Sequence, residues 1–133
     1  MSYLLDTQYL LWAIVDSKKI TNRIMDLISD PDQKIFVSTI SLWEISLKSA
    51  LGKIKISGLK PEDIPGICTK IGFELIELSA ADSSSYHLLN ASHHKDPFDR
   101  MLVWQAIRNN YTLISADAQI RKYCSEGLSI LNN

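Results

Sequence analysis

The segment 3–15, YLLDTQYLLWAIV, sets the structural pattern that the rest of the sequence follows. Residues 3–6 form a short apolar run that predicts a buried β-strand, and residues 9–15 predict a short helix after it. The strand closes on an acidic residue, Asp6. Short apolar runs that alternate with helical segments indicate an α/β fold built on a parallel sheet.

The same alternation continues along the chain. Further strands are predicted at residues 35–37, 73–78, 111–114 and 128–131, and further helices at 21–29, 39–51, 61–71, 80–91, 97–108 and 118–123. The helix at 39–51, which Ser38 or Thr39 is expected to cap, is predicted to bury its apolar residues Ile40, Trp43, Leu47 and Leu51. No repeat or linker interrupts the pattern, so residues 1–133 are predicted to form one domain.

Composition and charge narrow the class of protein. The chain of 133 residues has 46% hydrophobic and 22% charged residues, which is typical of a soluble globular domain. A net charge of −1 gives no overall attraction to nucleic acid, so any such contact requires a local basic patch. Cys68 and Cys124 are too few for a disulfide framework. With neither a signal peptide nor a membrane span predicted, we expect a cytoplasmic protein.

Four acidic residues lie where a carboxylate is locally unfavourable. Asp6 closes the first strand, Glu44 interrupts the apolar segment 40–45, Asp99 begins the apolar segment 99–104, and Asp117 follows the strand at 111–114. An ionised carboxylate in apolar surroundings costs several kcal/mol unless it is paired or binds a cation. The carboxyl ends of parallel strands meet at one edge of a sheet, where the following helices also begin, so the four carboxylates are expected to share one site.

A site made only of carboxylates selects a hard divalent cation, Mg²⁺ or Mn²⁺. No set of histidines and cysteines has the spacing of a zinc site. A cation held in this way can lower the pKa of a bound water and neutralise charge on a phosphate. The chemistry that uses both effects is phosphodiester hydrolysis.

Each acid also has a structural interpretation. Asp96 is a suitable N-cap for the helix at 97–108, and Asp99 in its first turn favours the positive end of the helix dipole. Glu44 can form a surface ion pair with Lys48 one turn later, and Asp117 can cap the helix predicted at 118. No adjacent helix cap is evident for Asp6. A carboxylate can cap a helix and bind a cation, so these alternatives stay open.

The sequence contains one local basic patch. Residues 48–60 carry four lysines and no acid, which suits either a solvated face or an RNA backbone: Lys48, Lys53, Lys55 and Lys60. Arg100 can contact the scissile phosphate or form an ordinary ion pair. The tryptophans Trp43 and Trp104 are predicted to lie in the core or in a dimer contact, and His87, His93 and His94 to be structural or exposed.

The segments that carry the acids resemble those of the PIN domain family, in particular the VapC-type toxin ribonucleases. These segments are Leu5-Asp6-Thr7 after the first strand, STISLWEI at 38–45 with Glu44, HKDPFDRML at 94–102 with Asp99, and LISAD at 113–117 with Asp117. The resemblance covers nearly the whole chain. It implies a twisted parallel sheet of about five strands, flanked by helices in a three-layer arrangement.

The resemblance also implies an activity, that of a Mg²⁺- or Mn²⁺-dependent endoribonuclease. The family's acidic quartet falls on Asp6, Glu44, Asp99 and Asp117. Among them Asp6 and Asp99 would bind the metal directly, while Glu44 and Asp117 would bind it directly or through water. Three residues would support the site: Thr7 and Ser115 through their hydroxyls, and Asp96 as a further acid.

For partners, the resemblance implies a homodimer and a small cognate antitoxin, with RNA as the substrate. Two other classes of protein are compatible with acids at a strand edge. A receiver-like signalling domain would need a lysine after a late strand, where this chain has Ser115-Ala116-Asp117. The alternative function is a PIN-like module that has lost catalysis and only binds RNA or a protein.

Overall fold

The computed structural model describes residues 1–90 and 96–132. Within them lies a five-stranded sheet with the strand order β3-β2-β1-β4-β5, in which every neighbouring pair is parallel. Its strands are β1 Ser2–Leu5, β2 Lys34–Ser38, β3 Glu74–Ile76, β4 Thr112–Ile114 and β5 Ser129–Leu131. The expected α/β fold with a parallel sheet is confirmed.

The α-helices are α1 Thr7–Val15, α2 Asn22–Ser29, α3 Thr39–Ala50, α4 Ile64–Ile71, α5 Ala80–Ser85 and α6 Pro97–Asn109. In the described part of the chain, 3-10 helices occur at Ser17–Lys19, Pro61–Asp63, Tyr86–Leu88 and Ile120–Glu126. The helix predicted at 80–91 therefore changes to a 3-10 helix after Ser85, and residue 91 lies outside the described residues. The helix predicted at 118–123 is entirely of the 3-10 type and begins at Ile120.

Helices cover both faces of the sheet, because successive residues of a strand point to opposite sides. On one face, Leu5 and Val37 join a core to which α1, α2 and α4 contribute. On the other face, Leu4 and Phe36 pack with the buried residues of α6 and of the 3-10 helix Ile120–Glu126. Trp104 of α6 belongs to this second core and its indole N–H donates to Ser85 Oγ over 3.1 Å, so its predicted burial is confirmed.

Helix α3 buries a different face from the predicted one. Trp43 is 61% exposed, and Leu47 and Leu51 are also exposed. Ile40 is buried as predicted, together with Ser41, Glu44 and Ile45. The rotation has a polar cause: the buried face of α3 carries the Ser41 and Glu44 oxygens to the hydroxyl of Thr7 on α1. Of the two positions predicted for Trp43, the core is excluded by its exposure, and the dimer contact stays a prediction.

The strand order places the carboxyl ends of β1 and β4 side by side at the point where the chain changes direction across the sheet. In open α/β sheets this switch point is where ligands bind. The two cysteines are free, as expected. Within residues 1–90 and 96–132, no helix combines the length and the apolar character needed to cross a membrane.

Candidate active site

A cavity of about 780 Å³ opens at this edge of the sheet. Its lining brings together all four members of the predicted acidic quartet and the additional acid Asp96. Among the described residues, the lining is formed by Asp6, Thr7, Gln8, Leu11, Glu44, Lys48, Lys53, Ile54, Asp96, Asp99, Ala116 and Asp117. Residues up to 111 positions apart in the chain, Asp6 and Asp117, therefore reach one cavity through the order of the strands.

Asp6 has two structural roles at once. Its backbone N–H donates to the Ile114 carbonyl over 3.0 Å, which continues the β1–β4 ladder. Its Oδ1 accepts a hydrogen bond of 2.8 Å from the Tyr9 N–H, which makes Asp6 the N-cap of α1. The expectation that Asp6 lacks a capping role is wrong, because α1 begins at Thr7 and not at Tyr9. The same helix start carries Gln8 and Leu11 into the cavity lining, which the predicted start at residue 9 did not indicate.

The pKa of Asp6 is raised to about 6, chiefly by burial and to a smaller extent by the negative charges of Glu44 and Asp117. The hydrogen bonds from the Tyr9 N–H and from the Ser115 side chain act in the opposite direction. Ser115 directly follows β4, is fully buried, and forms a side-chain hydrogen bond with the Asp6 carboxylate. The environment therefore orients Asp6 but leaves its negative charge poorly compensated.

Glu44 is buried on α3, and both of its carboxylate oxygens have partners. Thr7 Oγ1 donates to Glu44 Oε1 over 2.6 Å, and Ser41 Oγ lies 3.0 Å from the same hydroxyl. Lys48 Nζ pairs with Glu44 Oε2 one turn later on the helix. The ion-pair interpretation is thus correct, but the pair lies in the cavity and the Glu44 side chain is only 7% exposed. The pKa of Lys48 is raised, chiefly by this bond to Glu44.

The beginning of α6 presents two acids to the cavity. Asp96 is the N-cap, since its Oδ1 accepts from Phe98 N over 2.9 Å and from Asp99 N over 3.1 Å. Asp99 lies in the first helical turn, as the sequence predicted. Burial raises the pKa of Asp99 to about 7, helped by the negative charges of Asp96, Glu44, Asp6 and Asp117. The capping interpretation therefore holds for Asp96, while Asp99 is the acid whose pKa all four neighbouring carboxylates raise.

Asp117 stands in the turn after β4. Its N–H donates to Ser115 Oγ over 3.1 Å, and its Oδ1 accepts from Gln119 N over 2.8 Å. The 3-10 helix begins only at Ile120, with Gln119 as its N-cap, so Asp117 closes the turn before the helix and does not cap it. This turn keeps the partly buried carboxylate at the cavity beside Asp6.

The basic residues divide into two groups. Lys48 and Lys53 line the cavity, whereas Lys55 is exposed outside the lining. The guanidinium of Arg100 is held elsewhere, donating to the Tyr86 hydroxyl over 2.8 Å and to the Tyr123 hydroxyl over 2.9 Å. Arg100 therefore joins α6 to neighbouring segments, and its predicted contact with a phosphate has no support in this geometry. Of the histidines, His87 is exposed, and His93 and His94 lie outside the described residues.

The donor chemistry of the cavity fits a hard divalent cation. Its ligands would be carboxylate oxygens, and the pKa values of Asp6 and Asp99 are raised first by burial and then by the neighbouring negative charges, both of which a bound cation would offset. As the side chains stand, the described residues contain no group of three or more His, Cys, Asp or Glu that could hold a metal ion.

Comparison with known proteins gives the chain its family. The sequence model of the PIN domain matches residues 3–126. The chain belongs to the PIN domain family. A search of curated proteins found no match. The fold is similar to VapBC2 from Rickettsia felis bound to a DNA fragment from their promoter, with 22% sequence identity and a TM-score of 0.70 over 99% of this chain and 98% of that chain.

Two further PIN-like relatives have the same TM-score of 0.70. They are VapBC-1 from nontypeable Haemophilus influenzae, at 17% identity, and DNA-bound VapBC from Salmonella typhimurium, at 15% identity. Each of the two matches covers 99% of this chain and 98% of the matched chain. At these identities the likeness establishes a common fold, and the five-stranded parallel sheet with its flanking helices is the PIN fold that the sequence predicted.

Proposed function

We propose that this PIN protein is a Mg²⁺- or Mn²⁺-dependent endoribonuclease that acts as the toxin of a type II toxin–antitoxin pair. The observation that carries the proposal is the convergence of Asp6, Glu44, Asp96, Asp99 and Asp117 on one cavity at the switch point of the sheet. Grouping carboxylates without matching positive charge lowers the stability of a folded protein. Such clusters are therefore typical of functional sites.

In the proposed mechanism, Asp6 and Asp99 would hold the cation directly, and Glu44 and Asp117 would hold it directly or through water. A divalent cation in such a site lowers the pKa of a water molecule and neutralises negative charge on the phosphodiester. Thr7 and Ser115 orient the Glu44 and Asp6 carboxylates through their hydroxyls. Lys48 and Lys53, which line the same cavity, supply positive charge for the RNA backbone, with Lys55 at its periphery.

The proposal is tested by cleavage of end-labelled tRNA and structured rRNA fragments with Mg²⁺, Mn²⁺ or EDTA. The purified protein is compared with Asp6→Asn and with Asp82→Asn, which removes a buried carboxylate that does not line the cavity. We expect discrete metal-dependent bands from the wild type and from Asp82→Asn, and none from Asp6→Asn. Bands shared equally by all three proteins, or unaffected by EDTA, would contradict the assignment.

A second candidate function is a catalytically silent PIN module that binds RNA or a protein. The observation that favours it is the lack, within the described residues, of side chains already grouped to hold a metal ion. RNA binding that persists in EDTA, without cleavage under any metal, would support this module and exclude the nuclease.

We further propose that the protein forms a homodimer in the cytoplasm and is inhibited by a small cognate antitoxin, with residues 1–133 acting as one PIN domain. Support for protein partners comes from an exposed apolar stripe along α3, formed by Trp43, Leu47 and Leu51. Exposed apolar residues grouped in this way commonly mark protein contacts. Light scattering on the wild type and on Trp43→Ser tests the dimer, and co-purification of a small protein encoded beside the gene tests the antitoxin.

A further inference from the structure

Lys48 occupies an unusual position for a lysine that belongs to an i,i+4 pair. Its ammonium lies in the same cavity as the acids and pairs with Glu44 Oε2, while its side chain is only 30% exposed. The ammonium also lies 5.8 Å from the ring centroid of Phe98, the residue between the two acids of α6. Lys48 is thus held by one acid and lies close to the first turn of α6.

The two oxygens of Glu44 limit what else this carboxylate can bind. Oε1 accepts the Thr7 hydroxyl over 2.6 Å, a contact that fixes the orientation of the carboxylate. Oε2 is the remaining oxygen on the cavity side, and the Lys48 ammonium already holds it. A divalent cation that uses Glu44, directly or through an ordered water, meets this ammonium at the same oxygen. Two cations so close together repel each other, so occupancy of this oxygen by one disfavours the other.

We propose that Lys48 is a built-in counter-ion that competes with the divalent cation for Oε2 of Glu44. The inference rests on the proposed function, because it assumes that the cavity binds a divalent cation. Without that cation, the ammonium partly neutralises the acidic cavity. When the cation displaces it, the ammonium stays tethered to α3 beside the cavity, where it can contact a phosphate of the substrate. Lys48 is therefore a positioning residue that couples metal binding to substrate binding.

The experiment measures Mn²⁺ affinity directly from the electron paramagnetic resonance signal of unbound aqueous Mn²⁺. Wild type is compared with Lys48→Met, which keeps the helix-forming aliphatic stem, and with Lys48→Arg, which keeps the charge. Lys53→Met makes the same charge change within the same cavity lining and reports the general electrostatic effect. We expect Lys48→Met to bind Mn²⁺ roughly two- to fivefold more tightly than Lys53→Met, as expected for loss of one partly exposed ion pair. Lys48→Arg should bind like the wild type.

A double-mutant cycle with Glu44→Gln makes the test specific for the oxygen. In the Glu44→Gln background the competition no longer exists, so Lys48→Met should give no more tightening than Lys53→Met. Equal affinities for Lys48→Met and Lys53→Met in the wild-type background would overturn the inference and leave the proposed nuclease intact. A wild type and variants that all fail to bind Mn²⁺ would overturn the inference and the proposed metal-dependent activity together.

Discussion

Two regions of this protein bury carboxylates, and they differ in how the negative charge is matched. Between α5 and α6, Asp82 is only 6% exposed and accepts from Arg108 Nε over 3.2 Å and from Asn109 Nδ2 over 3.0 Å. One acid there meets one cation and one amide, and the result is a contact that fastens α5 to α6. A buried acid with its own partners is a structural feature.

The cavity at the switch point has the opposite balance. Among the described residues, five carboxylates line it with two lysines, and burial together with mutual repulsion raises the pKa of Asp6 to about 6 and of Asp99 to about 7. Burial of an acid therefore does not separate a structural site from a functional one in this protein. The surplus of negative charge distinguishes the proposed functional site, because an added cation would offset repulsion in the cavity, whereas Asp82 already has its own partners.

The largest expected effect is on cleavage. Replacing a carboxylate of the unmatched region by its isosteric amide, as in Asp99→Asn, should lower the rate of RNA cleavage at least about 100-fold, since even indirect supporters of metal sites contribute 10- to 100-fold. The rate is measured in single-turnover assays with Mn²⁺. Asp82→Asn is the matched control from the other region and should retain its rate per folded molecule. A comparable loss in Asp82→Asn would mean that the two regions do not differ in function.

The second effect concerns stability and should reverse the ranking of the two regions. Asp82→Ala leaves the Arg108 guanidinium and the Asn109 amide without their acceptor, so the free energy of unfolding should fall by about 2 kcal/mol. We place it below the range for fully buried pairs because the Arg108 side chain is 43% exposed. Urea denaturation followed by circular dichroism measures the change. A loss under about 0.5 kcal/mol, the usual range of surface substitutions, would contradict the structural role.

Much of the cavity could be predicted from the sequence, because it follows from strand and helix order. Asp6 and Asp117 each follow a strand, and Asp99 begins a strongly periodic helix. Once the strands are parallel, these positions meet at one edge, whatever the packing details. Parallel pairing of β1 with β4 is what brings Asp6 and Asp117 together.

The parts that could not be predicted depend on tertiary contacts. The buried face of α3 differs from its apolar face because Ser41 and Glu44 bond with Thr7 of another helix, and apolar periodicity carries no information on such a contact. Arg100 follows Asp99 in the chain, but a helical neighbour points about 100° away, and there it meets Tyr86 and Tyr123. The apolar pattern predicts that α1 starts two residues late, at Tyr9, and therefore does not indicate the cap by Asp6.

The third prediction uses pH to reveal the unmatched charge. The pKa values of Asp6 and Asp99 in the folded protein are higher than the ordinary value of 3.8. Between about pH 4 and pH 7 the native state therefore binds more protons than the unfolded state. The stability that they contribute is complete below about pH 4 and is lost as the pH rises to about 7. In EDTA, the free energy of unfolding should therefore decrease across this window.

Asp99→Asn should flatten this decrease and make the metal-free protein more stable than the wild type at pH 8, by about 1.5 kcal/mol. One unit of pKa shift corresponds to about 1.4 kcal/mol, and screening at a partly exposed group reduces the total. Thermal unfolding at several pH values, with Asp82→Asn beside it, measures the slopes. A lower stability of Asp99→Asn at pH 8 would mean that its role at the helix start outweighs the repulsion.

The smallest effect is expected at Asp96, which combines a structural role with a contribution to the negative charge of the cavity. Its Oδ1 caps α6, while its charge is the largest electrostatic contribution to the raised pKa of Asp99. Asp96→Ala removes the cap and the charge together, and a net loss of about 1 kcal/mol is expected because capping dominates. Asp96→Ser keeps a capping oxygen without the charge, so it should be neutral or slightly stabilising in EDTA and should lower the pKa of Asp99. Nuclear magnetic resonance titration of the Asp99 carboxyl in both variants tests the effect of the charge, and the free energy of unfolding of each variant tests the cap. Equal stability losses in the two variants would show that the charge, and not the cap, is what α6 requires at this position.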